Sequence, residues 1–165
     1  MNNSHNKHTK GATHEAQFAV TSASFHALAH MESIERELAT LPPDGDVTER
    51  LTATADEGLG IYQIAMPQDK EDRYAYCCGI AARLAADGAV SAAVSTTGMV
   101  VRGEGRERIC VVAADRFGGE EGWTARVIRS DTEPPRIREW ECGEPGGNFL
   151  LMLRAGVTNL AGRGK

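Results

Sequence analysis

Apolar residues recur every three or four positions through Phe25, Leu28, Met31, Ile34, Leu38 and Leu41. That spacing makes one apolar stripe on a helix. The helix is expected over about 24–40, and Pro42-Pro43 ends it because proline breaks the backbone ladder. Asp46 with Glu49 three residues later reads as an N-cap and its reciprocal partner. This predicts a short, threonine-rich second helix that stops at Gly58. Ile61–Met66 carries β-branched and aromatic residues and reads as an edge or connecting strand.

The third helix has the clearest boundaries. Asp69 caps it, Glu71 and Asp72 sit at the positive end of its dipole, and Gly88 ends it. Tyr74, Cys77, Cys78, Ala81, Leu84 and Ala85 form its buried face. Strands follow. Val90–Val101 is the first, with Gly98 marking a bulge, and Gly103–Gly105 makes a hairpin turn. Arg108–Ala114 is apolar on both sides and belongs at the sheet centre. Trp123–Ile128 comes next, and Arg136–Glu141 follows Pro134-Pro135 as a charged edge strand. Phe149–Leu153 reads as a last short strand or helical turn.

The fold class is therefore α+β. Amphipathic helices are expected on one face of a mostly antiparallel four- to five-stranded sheet, as a single domain over about 15–160. Leu84 and Val111 should be buried where the third helix covers the central strand. Residues 1–14 are too polar to bury a core and read as a flexible tail.

Composition narrows the picture. A 165-residue chain with 41% hydrophobic and 25% charged residues is of globular class. A net charge of −5 lacks the basic surplus of a nucleic-acid binder, so nucleic acid is not the expected partner. No secretory h-region opens the sequence, and its apolar runs, Phe149–Leu153 among them, are too short to span a bilayer. The reading is a cytoplasmic protein without membrane contact, its four cysteines kept as thiols.

Candidate chemistry is sparse. His26 and His30 stand at i and i+4, which is how a helix presents two metal ligands, and Glu37 lies nearly in line with them. On the stripe drawn above, however, the pair lies opposite Leu28, Met31 and Leu38 and should face solvent. No glutamate follows His26 as a zinc-protease helix requires. No bound metal and no cofactor are expected, and a metal-dependent hydrolase using His26, His30 and Glu37 is the alternative reading. Cys77 and Cys78 are neighbours about 100° apart on a helix and make no CxxC pair. The glycine-rich loops match neither phosphate-binding pattern and serve as turns. Asp115, Glu120, Glu121, Glu139 and Glu141 could pair only if the fold converged them.

Arg126, Arg129, Arg136 and Arg138, near Trp123 and Trp140, form the one local basic concentration, diluted by interleaved acids. Tryptophan and arginine are enriched in interface hot spots. The expectation is a non-enzymatic binding or regulatory protein that acts through a protein partner or a copy of itself. Arg136, Arg138 and Trp140 are its candidate contact residues, and a nucleic-acid module built on the sheet arginines is the third reading.

Overall fold

The segment Arg50–Ala55 alternates Arg50, Thr52 and Thr54 with Leu51 and Ala53, and this two-residue period makes it a strand. In the computed structural model, which describes residues 22–55, 58–100, 106–144 and 147–163, it replaces the short helix expected between Asp46 and Gly58. The local capping signal at Asp46 yields to the alternation and to two flanking strands that satisfy the backbone. The described elements are α1 (22–38), β1 (Arg50–Ala55), β2 (Gly58–Gln63), α2 (Lys70–Ala86), β3 (Ser91–Val100), β4 (Arg106–Asp115), β5 (Glu120–Ile128), β6 (Arg136–Gly143) and α3 (Gly147–Arg163). The chain is an α+β protein with a six-stranded antiparallel sheet in the order β2-β1-β3-β4-β5-β6. That is one strand more than the upper count expected.

α2 begins and ends where its signals stand. The Asp69 carboxylate accepts from the Glu71 and Asp72 amides, and Gly88 takes φ +78° just past the end, where a side chain would be strained. The β3–β4 register runs unbroken through Gly98, so no bulge interrupts it there. The Gly103–Gly105 turn and the 1–14 tail lie outside the described residues. The last element is far longer than Phe149–Leu153 suggests, because α3 continues to Arg163.

Helices cover both faces of the sheet, not one. α2 and α3 lie over Leu51, Ala53, Ala92, Val94 and Ala114. α1 lies over Ala93, Ile109, Val111, Ala113 and Val127 on the other face. Leu84 and Val111 are both fully buried, as expected, but they occupy opposite cores, with Val111 beneath α1. α2 and α3 touch closely at Gly156, where an added Cβ would fall 2.8 Å from Leu84 Cβ. Asp115 fastens α1 to the sheet. Its Oδ2 accepts from Ala23 N–H at 2.9 Å, and its Oδ1 accepts from Phe117 and Gly119 N–H at 2.8 Å each.

The two helical layers are staggered. α2 and α3 cover β1, β3 and β4, whereas α1 covers β3 to β6. On the α1 side, α1 reaches β1 through polar contacts to Thr52 and Arg50, and no described helix lies above β2.

Candidate functional site

α1 is rotated relative to the stripe drawn from its large apolar residues. The buried face comprises Ala23, His26, Ala27, His30, Met31, Ile34 and Leu38. Phe25 and Leu28 point away, with Phe25 73% exposed. His26 and His30 are only 6% and 2% exposed, so their expected solvent-facing position is corrected. Small Ala23 and Ala27 let the helix approach the sheet. The imidazoles can enter because the strands beneath offer hydroxyls.

Those hydroxyls come from residues paired on one face of the sheet: Thr54 opposite Ser91, and Thr52 opposite Ala93. His26 Nδ1 lies 2.8 Å from Ser91 Oγ, and His26 Nε2 lies 2.7 Å from Thr52 Oγ1. Thr52 Oγ1 also lies 3.0 Å from His30 Nδ1. A threonine hydroxyl has one proton, so it donates to one ring and accepts from the other. The hydrogen-bonded chain Ser91–His26–Thr52–His30 consequently puts the proton on the same nitrogen in both rings, Nε2 in both or Nδ1 in both. His30 Nε2 is buried and has no partner among the described residues.

Both rings are neutral near pH 7. Burial pushes His26 down to about 4. Burial, then the neighbouring His26 and Arg50, pushes His30 down to about 3. Glu37, the third member of the sequence-derived metal set, is held elsewhere. It ion-pairs with Arg50 and accepts from the Thr48 amide at 3.1 Å. Among the described residues, no three His, Cys, Asp or Glu side chains converge as a metal site.

Next to the histidines, a cleft of about 740 Å³ opens between α1 and the uncovered part of the sheet. Phe25, Leu59 and Ile61 stand at its apolar side. Thr52, Thr54 and Ser91 lie with the imidazoles in its lining, and Ser33, Arg36 and Arg50 are also part of it. Leu59 and Ile61 are 64% and 69% exposed. They lie opposite Thr54 and Thr52 in the β1–β2 register, so they share the face that α1 leaves bare.

The arginine group read from the sequence is not one surface. Arg129 forms a bidentate pair with Glu107 at 2.7 and 2.9 Å and donates to Asp46 and to the Pro43 and Gly45 carbonyls, which ties the 42–46 loop to the sheet. Trp140 lies opposite Ala125 and, with Ile137, is half-buried against the core beneath α1. Arg136 lies opposite Ile128, on the other face, and is exposed, as is Arg138. An irregularity in the β5–β6 register between Ala125 and Val127 separates them.

The carboxylates do not converge either. Glu120 pairs with Arg154, Glu121 with Ser24 and Trp123, and Glu141 with Arg108. The four cysteines are unpaired. No described helix is long and apolar enough to cross a membrane. Comparison with protein-family models, with curated proteins and with solved structures gives no match.

Sequence reasoning missed the cleft. Its one linear trace is β2, Gly58–Gln63, an edge strand without a charge or a proline.

Proposed function

We propose that this is a non-enzymatic binding protein that acts through protein contacts, and that its contact element is the open edge of β2. The observation that carries the reading is the exposure of Leu59 and Ile61 on an edge strand with no charged residue. Natural sheets normally guard an edge with lysine, proline, a bulge or a covering element. An unguarded edge bearing exposed aliphatic residues is a template for strand addition.

A second copy is the partner the strand fits. Antiparallel pairing of β2 with itself about a twofold axis sets no like charges opposite one another. It brings Leu59 and Ile61 of both copies onto one face, and it joins two six-stranded sheets edge to edge. Burial of that face supplies the apolar driving force.

The test is mass in solution by sedimentation, for the wild type and for Ile61→Lys. The wild type should form a dimer with rising concentration, and Ile61→Lys should remain monomeric with its helix content unchanged. A wild type that stays monomeric throughout, or an Ile61→Lys variant that dimerises equally well, would overturn the reading.

A further inference from the structure

The cleft above β1 and β2 is separate from the β2 backbone edge, and its lining has a chemistry of its own. At about 740 Å³ it falls within the range of about 300–1,000 Å³ usual for small-molecule sites. Among the described residues, no Asp or Glu lines it. With both imidazoles neutral, the formal charges among its described lining residues are the guanidinium groups of Arg36 and Arg50. Arg50 is already engaged by Glu37 and by Ser33 Oγ at 3.0 Å. Arg36 is exposed and enters no ion pair among the described residues.

Arg36 is thus the guanidinium of the described lining that is left without a carboxylate partner. On the other side stand Phe25, Leu59 and Ile61, mostly exposed. Between them the lining offers hydroxyls and the buried His30 ring, whose Nε2 makes no hydrogen bond among the described residues. A molecule complementary to all three features is apolar at one end and anionic at the other.

We propose that the cleft binds an amphipathic organic acid, its apolar body against Phe25, Leu59 and Ile61 and its carboxylate held by Arg36. The neutral histidines suit such a ligand because they add polar contacts without a second charge to desolvate. Charge-assisted hydrogen bonds from a guanidinium are the stronger kind and supply the preference for an anion.

The experiment uses the full chain and three probes: 2-naphthoate, octanoate and the uncharged 2-naphthamide. Binding is followed by titration calorimetry and by the ¹⁵N shifts of the His26 and His30 rings. The acids should bind and shift both rings, and the amide should bind at least about tenfold more weakly, the loss expected when one charge-assisted contact is absent. Arg36→Ala should erase that difference, and Arg36→Lys should retain part of it. Ala29→Trp, at an exposed α1 position that lines the cleft, should block all three probes while leaving the fold intact.

The proposal is overturned if neither acid binds at millimolar concentration to folded protein. It is equally overturned if binding survives unchanged in Ala29→Trp, or if the acid–amide difference persists in Arg36→Ala. The titrations are run at a dilution where sedimentation shows the chain to be monomeric, so failure here and failure of β2 pairing can be told apart.

Discussion

The staggered helices leave two parts of the sheet uncovered, and the two are built differently. On the α2–α3 side, the open area over β5, β6 and the Arg108 end of β4 is polar. Arg108 faces Arg126 across the ladder, Thr124 faces Glu141, and Arg108 reaches Glu141 at 3.9 Å. It ends at β6, whose exposed residues are mainly charged and whose pairing to β5 is irregular. On the α1 side, the area beside α1 holds Thr54, Leu59 and Ile61 and ends at an uncharged edge. β6 has the features that discourage pairing with another sheet, and β2 carries no charge and no proline of its own. Charge and tryptophan draw the eye to β6 in the sequence, yet in the fold its tryptophan faces the core and its charges guard an edge. β2, whose described residues include no such guard, is the edge proposed for contact.

The sharpest way to test this contrast compares two leucines at the β1–β2 end of the molecule. Leu84 of α2 is fully buried behind β1, and Leu59 of β2 is 64% exposed on the front. Leu84→Ala should cost on the order of 2–5 kcal/mol in denaturant unfolding, as core truncations do. Leu59→Ala, measured at a dilution where the chain is monomeric, should cost less than about 0.5 kcal/mol. A cost for Leu59→Ala close to that of Leu84→Ala would mean that Leu59 serves the fold rather than a contact.

The second test concerns the histidines beneath α1. Unfolded, an imidazole takes up a proton near pH 6.5, but folded His26 and His30 do so only near about 4 and about 3. Between those limits the unfolded chain binds more protons than the folded one. Stability therefore rises with pH across the window and is lost as acid takes the pH from about 6.5 down toward 4. The slope should approach about 1.4 kcal/mol per pH unit for each histidine. Unfolding measured near pH 7 and near pH 5 should show this slope, and His26→Gln with His30→Gln should flatten it. An equal slope in the double variant would contradict the buried, neutral state of the two rings. Arg136→Glu with Arg138→Glu, at the guarded edge, should change stability by less than about 0.5 kcal/mol and leave assembly unchanged.

Much of the frame was legible before folding was considered. Asp69 and Gly88 bound α2 in the sequence as they do in the structure, and the strands from Val90 to Glu141 lie where alternation and turn residues put them. Two segments misled for physical reasons. At Asp46 a helix-capping pattern of local range competes with strand pairing, whose partners Ser91–Ser95 lie some forty residues away. In α1, counting the large apolar residues selects Phe25 and Leu28, but the side of the helix nearest the sheet requires small residues. Ala23 and Ala27 therefore set the phase, and His26 and His30 go inward with them. No periodicity rule finds a buried histidine whose partners are hydroxyls on two separate strands. The pair was visible as i and i+4, but Thr52 and Ser91 became its partners only through the sheet.

The most direct test of the contrast between the two edges is amide hydrogen exchange in β2 and β6, followed from dilute to concentrated protein. β2 amides that point away from β1 should be unprotected when dilute and gain protection as concentration rises, while outward amides of β6 should exchange equally fast throughout. Protection that appears at β6, or a β2 edge that stays unprotected at every concentration, would contradict the assignment of β2 as the contact edge.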